Sequence, residues 1–367
     1  LDKADLHAGS TPAHLPPKSG IRLSGQLKSL DVDQWRKALF TKSTSSKGSP
    51  LVNQLNLKVA KLNWENTLFN DVQLTGEHNS ATWTGEINSP IILGRYSVPD
   101  TLSDKRGIKL DLEMLSLADN KVQDLDKKSS PLSPEDMPNI DINSKRLMIA
   151  NSNMGQLSLQ LRRKDNGLII QQFNLTSARD KLTAKGAWEV KNGVSRTGLN
   201  GHLNTKSLGG LLTDAGISEK LHTTPTEVSF DLHWPGEPQA FSKDHLSGFA
   251  KLSSGKGRLL DVEPGVGRIF GLLSLNTLQR RLRLDFSDLV QKGLSFDKIK
   301  GRLLIVDGEV QTKRFYLESP SARLDFQGRV GLASEDLDQI ITVTPKTTES
   351  LPLAGAIAGG PLVGAAV

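Results

Sequence analysis

Apolar and polar side chains alternate along most of the chain with a period of two residues. In SARLDFQGRVGL, residues 321–332, the side chains of Ala322, Leu324, Phe326 and Val330 share one face, and the residues between them are mostly charged or polar. A period of two is the repeat of a half-buried β-strand. Roughly fifteen runs of this kind, separated by turn residues, predict a mostly β protein.

The apolar faces of these runs supply the positions that we expect to share one surface of a sheet. Turn residues such as Asn166-Gly167 and Asp307-Gly308 join neighbouring runs, as antiparallel hairpins require. The expected positions on the apolar surface are Ile108, Leu110, Leu112, Met114, Leu157, Leu159, Leu161, Leu182, Ala184, Trp188, Phe230, Leu232, Ala322, Leu324, Phe326 and Val330.

Helical periodicity is scarce by comparison, and three short segments show it, at 31–40, 207–216 and 264–279. Breaks rich in Pro, Ser or charge separate the strand-rich segments. The predicted organisation is a flexible lead-in (1–19), a first β unit (20–117), a polar linker or loop (118–138), a second β unit (139–247), a C-terminal β unit (248–345) and an apolar tail rich in Gly, Ala and Pro (346–367).

An amphipathic sheet must cover its apolar face, and three arrangements would do so. A second sheet would give a sandwich with a sealed core. An open, curled sheet would leave a groove for acyl chains, since each buried CH₂ contributes about 0.8 kcal/mol. A transmembrane barrel is least favoured, because 5% aromatic residues leave few for interfacial girdles. The pattern alone favours the sandwich over the groove.

The sequence contains no constellation that indicates catalysis or metal binding. Cysteine is absent, the seven histidines lack metal-ligand spacing, and no G-x-S-x-G motif occurs. The formal charge of +6 is dispersed, and basic residues are not interleaved with aromatic ones, which argues against binding of nucleic acid. We therefore expect no enzymatic activity, cofactor or metal.

A local concentration of positive charge occurs in QRRLRLDF, at Arg280, Arg281 and Arg283. A solvated strand face is the simpler interpretation of these residues. The alternative is a contact with phosphate head groups, because the planar guanidinium group presents a fork of hydrogen-bond donors.

The C-terminal part of the chain resembles a known family. GVGRIFGLLSLNTLQRRL, followed by LDFSDL, and then VTP with LPLAGAIAGGPLVGAA closely resemble the C-terminal region of YhdP-type proteins, large cell-envelope members of the AsmA-like group. This resemblance covers residues 257–367, and a more diffuse similarity covers residues 20–250.

The resemblance implies a periplasmic segment of a protein anchored in the inner membrane of Gram-negative bacteria. Its fold would be an elongated, twisted antiparallel β-sheet, curled into an apolar groove of the kind found in bridge-like lipid transfer proteins. Its partners would be phospholipid, the inner and outer membranes through the full-length protein, and an envelope protein at the C-terminal end. The family supplies no catalytic residues. The resemblance raises the groove above the closed sandwich, which stays open as a scaffold without lipid cargo.

The final segment, LPLAGAIAGGPLVGAAV at 351–367, contains no charged residue. Under this resemblance we interpret it as a contact with a membrane or a partner. Deletion of residues 351–367 is expected to weaken the association of the chain with liposomes, because it removes an apolar surface. Cosedimentation with vesicles measures the change, and equal binding by the full and shortened chains would contradict the interpretation.

Overall fold

A computed structural model describes most of the chain. The described residues are 2–10, 12–32, 34, 52–64, 67–117, 137–149, 152–164, 166–214, 221–223, 225–259, 294–320, 322–334 and 336–346. They are mostly β-strand with few short helices, so the predicted fold class is confirmed. The chain divides into two compact units, Leu1–Leu175 and Thr176–Val367.

The first unit contains a series of long strands. They are β1 (Lys3–Ala8), β2 (Gly20–Asp31), β3 (Gln54–Trp64), β4 (Thr67–Asn79), β5 (Thr82–Asn88), β6 (Ile92–Pro99), β7 (Ile108–Leu117), β8 (Ile140–Ile149), β9 (Ser152–Lys164) and β10 (Gly167–Thr176). β1 lies inside the segment whose prolines predict a flexible lead-in. It pairs in parallel with β2, and Arg22 and Ser24 of β2 both donate hydrogen bonds to Asp5.

Most strands of the first unit pair with their sequence neighbours. β3 to β7 form consecutive antiparallel pairs, and β9 pairs with β8 and β10. The pairs β1–β2, β2–β3 and β7–β8 are parallel. The last two follow the long connections 32–53 and 118–139, because a parallel neighbour needs a crossover of about a dozen residues or more. The sheet is therefore mixed, with antiparallel pairs in the majority.

The second unit consists of a main sheet and a small sheet. Its strands are β11 (Asp180–Lys191), β12 (Val194–Thr205), β13 (Leu221–Thr223), β14 (Thr226–Pro235), β15 (Ser247–Ser254), β16 (Gly257–Leu259), β17 (Leu294–Phe296), β18 (Lys298–Val306), β19 (Glu309–Glu318), β20 (Ala322–Gly331) and β21 (Leu337–Pro345). The main sheet has the strand order β11–β12–β14–β15–β18–β19–β20–β21, and every neighbouring pair is antiparallel. The small sheet, also antiparallel, has the order β13–β16–β17.

Tight turns fix the register of the main sheet. Asn192 and Gly193 join β11 to β12 with φ values of 53° and 76°, and Asp307 and Gly308 join β18 to β19 with φ values of 46° and 77°. Two consecutive positive φ angles are characteristic of type I′ turns, whose twist matches that of the strands that they connect. Each dipeptide therefore sets which residues of the two strands face each other.

One of the three predicted helices lies within the described residues. Helix α1 (Leu208–Asp214) falls inside the predicted segment 207–216, and two short 3-10 helices lie at Pro238–Ala240 and Lys243–His245. The predicted segment 264–279 lies outside the described residues, as does nearly all of 31–40.

Buried apolar clusters lie in both units. In the first unit, Leu57, Val59 and Val72 are buried on β3 and β4, and Leu23 joins them from β2. In the second unit the small sheet covers one end of the main sheet. The covered residues of the main sheet are Ile299, Leu317, Ala322 and Leu324, and the small sheet contributes Leu221, Leu259 and Phe296.

The covered end of the main sheet is expected to act as the stability core of the second unit. Leu324 is 0% exposed, so Leu324→Ala would leave a cavity and should lower the free energy of unfolding by about 2–5 kcal/mol. The matched change Leu203→Ala, on the same face but only half-buried, should cost less. Urea denaturation monitored by circular dichroism compares the two variants. Equal losses would contradict this placement of the core.

Candidate functional site

The main sheet of the second unit has one apolar face. Its central feature is a row of apolar residues or glycine that crosses all eight strands in register, which we call the long row. The members of the long row are Leu182, Leu203, Val228, Leu252, Gly301, Phe315, Phe326 and Ile341. At the spacing of neighbouring strands, about 4.8 Å, eight strands span roughly 34 Å.

The long row is apolar and yet only half-buried. Apart from the buried Gly301, every member keeps part of its surface accessible to solvent. In a sealed sandwich, residues in the interior of central strands face the partner sheet and lose this accessibility. In the end row, Ile299, Leu317 and Leu324 are buried against the small sheet. The apolar face is therefore closed at one end of the strands and accessible along the long row.

Aromatic rings lie across glycines of the neighbouring strands on this face. A Cβ atom on Gly301 would lie 2.2 Å from Cδ2 of Phe315, and one on Gly201 would lie 2.8 Å from Cζ of Phe230. A side chain at either glycine would displace the ring. The rings thus fill the gaps that the glycines leave, and Phe315 also contacts Phe326 edge to face, at 5.6 Å between ring centroids.

The covered end row changes from polar to apolar along its length. Asp180, Thr205, Thr226 and Ser254 lie opposite one another on β11, β12, β14 and β15, and the row continues with Ile299 on β18. All four polar side chains are buried. They lie beside a cavity of about 770 Å³, whose lining also includes lysines and carboxylates.

Hydrogen bonds satisfy these buried polar groups. Thr205 donates to Asp180, and the hydroxyl groups of Thr226 and Ser254 lie 2.8 Å apart. Burial alone would raise the pKa of Asp180, but hydrogen bonds from Arg179 and Thr205 outweigh it and hold the pKa below its usual value. Arg179 in turn binds Asp214 of α1. This network satisfies the buried polar groups beside the cavity and anchors the helix.

The first unit has a comparable apolar face. One row crosses β2 to β9 in register, and its members are Leu23, Leu55, Gly76, Gly85, Tyr96, Leu110, Ile142 and Leu159. Most of these residues are half-buried. Apolar side chains that remain accessible to solvent thus recur in both units.

Tyr96 fills the place that the two glycines of this row leave open. A Cβ atom on Gly76 would lie 2.4 Å from the Tyr96 hydroxyl oxygen, which donates a hydrogen bond to the Thr75 carbonyl oxygen at 3.0 Å. Gly85 lies between them in the register. Burial raises the pKa of Tyr96, because the surrounding protein disfavours the phenolate.

Most of the predicted face residues lie together in register within each unit. In the first unit, β8 links Leu110 to Leu159 and Leu112 to Leu157. In the second unit, Leu182 and Phe326 belong to the long row, and Ala184 and Phe230 flank Gly201. Four further predicted residues, Ile108, Leu161, Leu232 and Val330, lie in rows alongside these. Their register pairs agree with the alternation of apolar and polar residues along each strand.

Eight predicted face residues have different surroundings. A β-bulge in β7 places Met114 opposite Leu93, whereas Leu115 lies opposite Ile92 and Leu147, so the strict alternation ends after Leu112. The other seven are buried, with at most 8% of their surface exposed, and serve packing; they are Ile108, Leu112, Leu157, Ala184, Trp188, Ala322 and Leu324. The indole nitrogen of Trp188 donates to the Ser195 hydroxyl at 2.8 Å.

Several members of the apolar rows were not among the predicted positions. Leu203, Val228 and Leu252 alternate with polar residues and carry the same period-two signal, and Ile142 does so on β8. Phe315 follows a bulge that obscures the alternation of β19. The predicted head-group contacts Arg280, Arg281 and Arg283 lie outside the described residues.

Two searches of the described part of the chain gave negative results. No group of three His, Cys, Asp or Glu side chains there is arranged to hold a metal ion. Among the helices within the same ranges, none has both the length and the apolar character that crossing a bilayer requires.

Comparison with known proteins identifies relatives of the chain. The family model described as "YhdP protein" matches residues 1–367. A similar protein is the intermembrane phospholipid transporter YhdP of Escherichia coli (strain K12), with 32% identity over 203 residues. That alignment covers 55% of this chain and 16% of the relative, so it spans a minor part of the relative's length. No solved structure matches the chain.

The raised pKa of Tyr96 predicts a pH dependence of stability. Because the folded state holds the phenol proton more tightly, stability is expected to fall as the pH rises above about 10, the ordinary tyrosine value. In a Tyr316→Phe variant, Tyr96 is the one remaining tyrosine of the two in the chain. Absorbance of tyrosinate should then develop only at higher pH than in the same variant unfolded in guanidinium chloride. Coincident titration curves would contradict the assigned environment.

Proposed function

Since this chain belongs to the YhdP family, we propose that it forms part of a phospholipid transporter and that the apolar faces of its two units carry acyl chains. The observation that carries this proposal is the long row, an uninterrupted series of apolar residues and glycine on eight neighbouring strands whose side chains remain half-buried. Contact with an acyl chain would remove this surface from water at about 25 cal/mol per Å².

The length of the long row favours passage over a single fixed position. The row spans roughly 34 Å, whereas one leaflet of a bilayer has about 15 Å of hydrocarbon, half of the usual core thickness. An acyl chain could therefore lie at several positions along the row and meet side chains of the same character at each. Similar contacts at successive strands imply shallow energy differences between positions. Such a surface suits a conduit better than a pocket with one preferred ligand pose.

The cellular setting of the proposal rests on the family. The relative in Escherichia coli is named as an intermembrane phospholipid transporter. We therefore place this chain in the periplasm, as a segment of a protein anchored in the inner membrane, where it would carry phospholipid between the inner and outer membranes. A role in carrying lipid requires no catalytic residue.

A closed scaffold is the alternative that one observation favours. The small sheet seals the end row of the second unit, and Leu324 is fully buried there. If the apolar face were sealed in the same way along its whole length, the protein would hold envelope partners without lipid cargo. The two functions differ in whether phospholipid copurifies with the folded chain.

Mass spectrometry of organic extracts from the purified chain gives the first test. The chain is prepared in a detergent that does not mimic phospholipid, and a β-sandwich protein of similar size is the control. Phospholipid at one or more molecules per chain is expected. A folded monomer without lipid above the control would overturn the acyl-chain proposal and favour the scaffold.

A carboxylate in the long row is expected to block lipid binding. Leu182→Asp should lower the phospholipid recovered per chain by about tenfold or more, because a carboxylate there must be desolvated when an acyl chain covers it. Thr183→Asp, on the adjacent residue and the opposite face, is the matched control and should retain lipid. Leu159→Asp is the equivalent change in the first unit.

Circular dichroism shows whether each variant is folded, so that loss of lipid can be distinguished from loss of structure. A folded Leu182→Asp variant that retains lipid, or equal loss of lipid in Thr183→Asp, would contradict the role of the long row. Leu324→Asp is unsuitable for this purpose, because Leu324 is fully buried and its replacement is expected to unfold the unit. Unfolding by Leu182→Asp as well would favour the sealed scaffold.

A further inference from the structure

The polar face of the second unit carries three cations that oppose one another directly. Lys251 on β15 lies opposite Arg302 on β18, and Arg302 lies opposite Arg314 on β19. All three side chains are exposed. Within the ranges that the structure describes, none of them forms an ion pair. The row therefore presents three adjacent positive charges to solvent.

This arrangement has a cost that the fold does not explain. Like charges directly opposite each other on neighbouring strands destabilise a sheet. Lys300, two residues before Arg302 and also exposed, adds a fourth positive charge on the same strand and face.

None of the acidic residues around the row forms an ion pair with it in the described part of the chain. Asp325 binds Arg323, and Glu309 binds Arg329. Lys251 lies opposite Ser229, and Asp231 and Glu227 lie two residues to either side of Ser229 on β14. The three cations are thus free of ion pairs among the described residues and can meet negative charge outside the unit.

Exposed apolar side chains adjoin the cations on the same face. Phe249 lies opposite Leu304, one row away from the pair Lys251 and Arg302, and the two apolar residues are 45% and 44% exposed. Val306, two residues further along β18, is 46% exposed. Phe249 and Lys251 alternate with Ala250 and Leu252 of the apolar face. The cations and these three apolar residues therefore form one continuous surface.

We propose that this surface, the basic-apolar patch, docks on an anionic phospholipid membrane. The patch consists of Phe249, Lys251, Arg302, Leu304, Val306 and Arg314. It lies on the face opposite the long row, so the proposal is independent of acyl-chain binding there.

Charge and shape both favour a membrane surface as the occupant. The three cations lie on neighbouring strands about 4.8 Å apart, so they spread over roughly 10 Å of a sheet face and can meet several head groups at once. Lys and Arg near an anionic leaflet each contribute about 1 kcal/mol. Phe249 and Leu304 can enter the boundary between head groups and acyl chains, as the apolar faces of peripheral membrane segments do.

Cosedimentation of the full chain with vesicles tests the proposal. Vesicles of phosphatidylcholine mixed with phosphatidylglycerol are compared with vesicles of phosphatidylcholine alone. The chain should bind the anionic vesicles more strongly. The difference should shrink as salt rises from 0.1 M to 1 M, since the screening length falls from about 10 Å to about 3 Å.

Neutralising the three cations tests whether vesicle binding depends on the basic-apolar patch or on the net charge of the chain. The triple variant Lys251→Gln, Arg302→Gln and Arg314→Gln should bind anionic vesicles about a hundredfold more weakly, from about fivefold per charge, equivalent to about 1 kcal/mol. The control removes three exposed positive charges elsewhere in the second unit, through Lys181→Gln, Lys185→Gln and Lys346→Gln. It should retain most of the binding.

Two further measurements distinguish docking from a structural role. Thermal unfolding of the Lys251, Arg302 and Arg314 triple variant should occur at the same or a higher temperature, because repulsion between opposed charges is removed. Phe249→Ser with Leu304→Ser should reduce the binding that persists at high salt.

Several outcomes would overturn the proposal. Wild-type chain that does not distinguish the two vesicle types would exclude the membrane and leave an acidic protein as the partner for the patch. Equal loss in the control triple variant would attribute binding to net charge. A patch variant that loses vesicle binding and retains copurified phospholipid would support docking independently of lipid carriage. Loss of lipid from Leu182→Asp with normal vesicle binding would concern the long row alone.

Discussion

Register between neighbouring strands is the constraint on which the apolar faces depend. Side chains alternate between the two sides of a sheet, so a slip of one residue would exchange the faces of a whole strand. The long row continues across eight strands because every neighbouring pair keeps its register, whether or not the two strands follow each other in the chain. Asn192-Gly193 and Asp307-Gly308 do this at two of the turns through consecutive positive φ angles. Turn residues thus set the register at two of the seven strand pairs that the row, about 34 Å long, crosses.

An accessible apolar surface is costly in water, and the structure limits that cost at one end of the strands. The small sheet buries Leu317 and Leu324, and hydrogen bonds satisfy the buried polar groups around Asp180 in the same row. Stability is thereby concentrated in the covered end row. The long row beside it stays half-buried, so packing and accessibility are divided between neighbouring rows, as a lipid-carrying surface requires.

Alternation in the sequence was sufficient to predict the fold class. Leu110 and Leu159 come into one row through Ile142, as their periodicity indicates. Periodicity can be seen within a single strand, however, whereas the choice of pairing partner depends on two strands that can be far apart in the chain. The parallel pairs β2–β3 and β7–β8 depend on where long connections return the chain. Similarly, nothing in the pattern indicates that a bulge gives Leu115 the position opposite Ile92, or that Leu324 is covered while Phe326 remains accessible.

The uniformly antiparallel order of the main sheet restricts how the second unit can change in length during evolution. Deletion of a single strand would reverse the direction of every strand that follows, and loops at one end would have to reconnect at the other. Loss or gain of a whole hairpin preserves all directions and all face assignments. The sheet is therefore free to lengthen or shorten in steps of two strands, each about 9.6 Å wide. Duplication of a β-hairpin such as β18 and β19, which closes on its own type I′ turn, would be the smallest viable insertion.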